Sequence, residues 1–100
     1  MSVTMLMRVQ ADTETFTNYV EANAAAMDEI SEDAKSKGCI HHRFAVGDGF
    51  VLVIDEWESA EAFQSFFEGN EAVAATMQGA GVQGEPEITF AESIDAAGTF

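Results

Sequence analysis

The sequence predicts an α+β fold of ferredoxin-like order, βαββαβ, built on a four-stranded antiparallel sheet. Three observations carry that prediction. The chain opens on an alternating apolar run, Val3, Met5, Met7 and Val9. An Asp48-Gly49 pair joins two β-rich runs in its middle, a strong local signal for a hairpin. An apolar stripe at three- and four-residue spacing lies on each side of that hairpin.

The first strand covers Val3 to Gln10, with Leu6 adding an apolar group to its second face. Asp12 and Thr13 then offer side-chain oxygens for a helix N-cap, and Glu14 sits in the first turn, where the helix dipole favours an acid. Phe16, Tyr19, Val20, Ala24, Met27, Ile30 and Ala34 form one stripe. Lys35 and Lys37 occupy the last turn and Gly38 closes it, so the spacing predicts one long helix from about Thr13 to Lys37.

Cys39 to Val46 and Phe50 to Trp57 read as the two arms of the hairpin. Ser59 can cap the following helix, whose stripe is Phe63, Phe66 and Phe67. Gly69-Asn70 interrupts it, Asn70 can cap again, and Val73, Ala74 and Met77 continue the apolar face. Pro86 opens the last strand, which runs to Glu92. The whole reads as one domain over residues 1–100, with a core of about 3–94 and a tail of 95–100.

Two helices cover only one face of such a sheet, yet the third strand is apolar on both faces from Phe50 to Ile54. A strand wetted on one side alternates. A second copy of the chain is therefore the expected cover, giving a homodimer packed sheet against sheet, which also enlarges the core available to so short a chain.

Charge narrows the partners. Four basic against 18 acidic residues leave a net charge of −14, which repels nucleic-acid backbones and anionic membrane surfaces. No apolar run reaches the length of a membrane span, and the N-terminus lacks the pattern of a secretion signal. The single cysteine, Cys39, allows no disulfide within the chain and suits a reducing cytoplasm.

Gly38-Cys39 opening a strand, the hairpin, Asp55-Glu56-Trp57-Glu58-Ser59 and then Ala62-Phe63 together resemble the antibiotic biosynthesis monooxygenase domain family, in the dimeric α/β-barrel superfamily. The resemblance runs from about Val3 to Ile94. It implies a dimer with a pocket between sheet and helices in each subunit. It also implies oxygenation of polyketide quinols or anthrones by O2 with no metal or flavin cofactor, since the best-known members do this. Haem-degrading relatives carry a haem-ligating histidine on the second helix and an asparagine on the first strand. Here Ser59 to Gln78 holds no histidine, and Met7 stands at the matching first-strand position. Quinone-oxidoreductase-like relatives place a histidine about nine residues beyond the tryptophan, where this chain has Phe66.

Hairpin register decides which side chains meet. A two-residue turn at Asp48-Gly49, which suits type I′, sets Val46 opposite Val51, Phe44 opposite Val53 and His42 opposite Asp55. One face then carries Ile40, His42, Phe44, Val46, Val51, Val53, Asp55 and Trp57. A three-residue turn would set His41 opposite Asp55, beside Arg43, Cys39 and Trp57. In the first register, His42 is the candidate base and Asp55 its orienter. A carboxylate beside an imidazole raises its basicity and selects its tautomer. Trp57 completes the catalytic group and, with Phe44, Phe63, Phe66 and Phe67, walls an apolar pocket for a small hydrophobic or aromatic molecule. Arg43 is a candidate for binding a substrate oxyanion. Arg43 and Arg8 equally suit ion pairs with acids on the sheet or across a dimer. His41 and His42 point to opposite faces of a regular strand and cannot jointly ligate a metal, so no metal site is expected. Cys39 reads as a small buried residue. The function this supports is a cofactor-independent monooxygenase for a quinol-type aromatic. The alternatives are a non-catalytic dimer that binds a hydrophobic metabolite, or an isomerase or lyase using the same base.

Overall fold

The structure, a computed structural model, describes residues 2–100. The elements in chain order are β1 (Val3–Gln10), α1 (Thr13–Ala22), α2 (Ala24–Ser36), β2 (Cys39–Val46), β3 (Phe50–Trp57), α3 (Ala60–Phe67), α4 (Glu71–Gly79) and β4 (Gln83–Glu92). The strands form one antiparallel sheet in the order β2-β3-β1-β4, the ferredoxin-like arrangement expected from the sequence.

β1 shows why the sheet has two unlike faces. Met5, Met7 and Val9 are almost fully buried under the helices, while Thr4, Leu6, Arg8 and Gln10 between them stay exposed. The core is the layer between: Met5, Val51 and Trp57 from the two central strands, with Phe16, Ala34, Phe63 and Phe66 from the helices. On the opposite face Leu6 lies across from Ile54, and Ala45 from Leu52, so that face carries an apolar centre as well.

Three sequence expectations are corrected. The helix expected over Thr13–Lys37 is two helices, broken at Asn23, and the second ends at Ser36. Both the backbone N–H and the side-chain Nδ2 of Asn23 donate to the Tyr19 carbonyl, at 3.0 and 2.8 Å, while its φ of −118° and ψ of 35° leave helical geometry. A short amide side chain competes with the helical ladder in this way, and an apolar stripe that continues past the break does not reveal it. The last strand starts at Gln83, three residues before Pro86. Gly84, at φ +72°, opens a bulge against β1, and Pro86 is tolerated there because β4 is an edge strand. The hairpin turn is not type I′, because Gly49 has a positive φ (+81°) and Asp48 does not. Its two-residue length, closed by Gly47 N–H donating to the Phe50 carbonyl at 2.9 Å, nevertheless holds the expected register.

The caps form as expected. Asp12 Oδ2 accepts from Thr15 N–H, Ser59 Oγ from Ala62 N–H and Asn70 Oδ1 from Val73 N–H. Ala74, expected on the apolar face of α4, is exposed. No helix among the described residues is long and apolar enough to cross a membrane.

Candidate active site

Between the covered face of the sheet and the four helices lies a cavity of about 440 Å³. Its floor is β1, β2 and β3; α1 and α2 form one wall, and α3 and α4 the other. Antiparallel pairing builds its central polar feature. In the β2–β3 register His42 lies directly opposite Asp55, and Trp57 stands two residues further along β3 on the same face as Asp55. His42 Nδ1 contacts Asp55 Oδ1 at 2.7 Å, and Trp57 Nε1 donates to Asp55 Oδ2 at 2.9 Å. Asp55 is only 6% exposed, and both of its oxygens are engaged.

The clamp has a chemical consequence. A carboxylate oxygen at Nδ1 selects the tautomer that donates there, which leaves Nε2 as the free lone pair of the ring. His42 lines the cavity, and a third of its side chain (34%) reaches solvent. Phe44 lies edge-on to the His42 ring at 4.8 Å and to Phe16 at 5.4 Å, tying β2 to α1 beside the histidine. Behind Asp55, Trp57 is in edge contact with Phe63 at 5.5 Å and tilted against Phe66 at 5.3 Å, and Phe63 stacks on Phe67 at 5.2 Å. These contacts hold the indole still, and a fixed indole N–H holds the carboxylate.

The structure thus brings together His42, Asp55, Trp57, Phe44, Phe63, Phe66 and Phe67, all of which line the cavity. It does not bring Arg43 there. Arg43 pairs with Ile54 in register and projects from the opposite face of the sheet, because strand neighbours alternate and His42 takes the inner side. Arg8 lies on that outer face too, its guanidinium 3.8 Å above the Phe50 ring. The face list also changes at its end. A bulge at Ile40 sets Cys39 across from Trp57, so Cys39 takes the position on the tryptophan's face expected for Ile40, which is 46% exposed.

Cys39 is half-buried and borders the cavity; its Sγ donates to the His41 carbonyl at 3.3 Å. Burial first, and the Asp55 charge second, push its thiol up to about 11. Among the described residues no group of three or more His, Cys, Asp or Glu side chains converges as a metal site.

Sequence reasoning read Met5, Met7, Met27, Met77, Ile30 and Val73 as core stripe, whereas they are also cavity wall. Ser31 and Lys35 were missed altogether. Both follow Met27 at four-residue steps, beside the apolar stripe, and that spacing is the signal that places them at the cavity edge.

No family model matches the sequence, and no curated protein matches it. Among solved structures the fold recurs widely. SnoaB, a cofactor-independent oxygenase from Streptomyces nogalater, matches with a TM-score of 0.64 at 15% identity, covering 98% of each chain. The monooxygenase from the ActVA-Orf6 gene of Streptomyces coelicolor, solved with Nanaomycin D, also matches at 0.64, with 19% identity over 95% of this chain and 88% of that one. A further antibiotic biosynthesis monooxygenase matches at 0.64 and 13% identity, over 93% of this chain and 99% of its own. At these identities the likeness is one of fold: the chain has the α+β, ferredoxin-like fold found in the antibiotic biosynthesis monooxygenases.

Proposed function

We propose that this protein is a cofactor-independent monooxygenase acting on a small quinol-type aromatic or polyketide with O2. The observation that carries the reading is the hydrogen-bond chain from Trp57 through Asp55 to His42 on the wall of an aromatic cavity. A neutral phenol scarcely reduces O2, while its anion does so readily. The first requirement is therefore a base. His42 Nε2 takes the substrate's acidic proton, and Asp55 holds the imidazolium that forms. The carbanionic substrate then gives its electrons to O2 and forms a carbon–oxygen bond as a peroxide. Loss of water from that peroxide leaves a new carbonyl. One oxygen atom enters the product, the other departs as water, and the substrate supplies every electron. The aromatic side chains grip the flat rings and keep bulk water from the anion.

The reading includes a homodimer in the cytoplasm, joined through the outer face of the sheet. Leu6, Leu52, Ile54 and Ala45 form the apolar centre of that face. Among the described residues, Arg8 and Arg43 beside them have no acidic partner within 4 Å in a chain with 18 acids. A second copy would cover the apolar centre and supply carboxylates to both guanidiniums.

Oxygen uptake with a panel of hydroquinones and anthrones tests the catalytic reading. His42→Ala is expected to lower turnover by on the order of 10²-fold or more, the usual worth of a positioned base, while binding of the aromatic stays within about twofold. Full turnover in His42→Ala overturns the assignment. Binding without any oxygen uptake in the wild type identifies a binding protein instead.

A further inference from the structure

The polar lining of the cavity is unevenly shared among the elements. α2 and the β2–β3 hairpin contribute Ser31, Lys35, Cys39, His41, His42 and Asp55, whereas α3 and α4 contribute Phe63, Phe66, Phe67, Val73 and Met77 with Thr76 as their only polar side chain. Such a cavity fits an amphiphile with its head toward α2 and its apolar body toward α3 and α4.

The charge of that lining is unlike the charge of the chain. Of 18 acids, Asp55 is the one that borders the cavity, and its oxygens already accept from His42 and Trp57. Of the four lysines and arginines, Lys35 borders it. The other three are committed elsewhere: Lys37 pairs with Asp33 at 3.0 Å, Arg8 stacks on Phe50, and Arg43 faces outward. Lys35 pairs with Glu32 at 3.2 Å, but the two side chains are 66% and 73% exposed, and an ion pair so wetted holds its partners weakly. The ammonium is near enough to the inner wall for its charge to act on the Cys39 thiol, in the direction opposite to the effect of Asp55.

We propose that the ligand of this cavity is an aromatic acid: its carboxylate meets Lys35 on α2, its rings lie against the phenylalanines, and a ring hydroxyl faces His42. This deepens the monooxygenase reading and rests on it, since it names the charged group that orients the substrate. Lys35 is here a specificity-determining residue. In a protein of net charge −14, an ammonium at the cavity edge, held only by a solvent-exposed pair with Glu32, is what lets an anion approach.

Calorimetric titration with 1-hydroxy-2-naphthoate and with its neutral methyl ester tests the proposal. The emission of Trp57, the chain's single tryptophan, reports that the cavity is the place occupied. An ion pair to so exposed an ammonium predicts that the acid binds about twofold to fivefold more tightly than the ester. Lys35→Met should remove that preference and leave the affinity for the ester unchanged, whereas Glu32→Gln, which frees the ammonium, should strengthen binding of the acid alone. Equal affinities in the wild type, or a preference that survives in Lys35→Met, overturn the Lys35 assignment and leave the monooxygenase reading intact. If neither compound binds or perturbs Trp57, the aromatic-acid assignment is overturned, and the monooxygenase reading stands or falls on the oxygen-uptake test alone.

Discussion

Asp55 is the residue on which most of the site chemistry depends, because one carboxylate serves two donors. Asp55→Asn keeps the shape and reverses the logic. An amide that accepts from Trp57 through its oxygen presents N–H to His42, which moves the ring proton to Nε2 and removes the free lone pair. Turnover in an oxygen-uptake assay is expected to fall by on the order of 10²-fold or more, with the fold intact by circular dichroism. Cys39 gives a second residue-scale expectation. With its thiol held at about 11 against the ordinary 9.0, the thiolate fraction at pH 8 is about a hundredfold below that of an unperturbed thiol. Alkylation by iodoacetamide should be slow there and should keep accelerating as pH rises toward 11. A rate that levels off near pH 9 would show that burial and Asp55 do not act on the sulfur as described.

At the scale of elements, the two helical walls owe their spacing to small residues. A Cβ placed on Gly79, at the end of α4, would lie 2.4 Å from Cε2 and 2.8 Å from Cζ of Tyr19. The ring therefore packs on bare backbone, and α1 approaches α4 only because residue 79 has no side chain. Gly79→Ala should destabilise the protein by about 1–3 kcal/mol through overpacking, despite alanine's better helix propensity, as measured by urea denaturation. A gain in stability would mean that Tyr19 has another place to go. The element scale is also where the sequence was misread. The apolar stripe runs unbroken through residue 23, so periodicity alone predicts one helix; the break comes from an amide that hydrogen-bonds back to Tyr19, a local competition that no hydrophobic pattern records. Pro86, expected at the start of the last strand, lies inside it, because an edge strand with a bulge accommodates a residue without an N–H.

At the scale of the whole molecule, the uncovered sheet face sets the assembly that we propose. Sedimentation velocity should find a species near twice 10.7 kDa. Leu6→Glu, which puts a charge at the centre of the apolar face beside Ile54, should shift it to monomer without unfolding it. A wild-type monomer at micromolar concentration would leave the apolar face and the unpaired Arg8 and Arg43 without the partner assigned to them.

The order of elements along the chain and the covered face of β1 follow from the sequence alone, since both rest on short-range rules, a period of two and a period of three to four. The sequence allows two hairpin registers, and the structure holds the one with a two-residue turn, which carries along the hairpin and pairs His42 with Asp55. Tertiary structure alone decided that Trp57 donates to the same carboxylate and that the bulge at Ile40 brings Cys39 to the cavity. It also decided that Lys35, a routine helix-terminal lysine by spacing, borders the cavity. The reason is physical. Patterns along the chain specify which face a side chain takes, whereas contacts between elements depend on where helices, bulges and strand ends come to rest against one another.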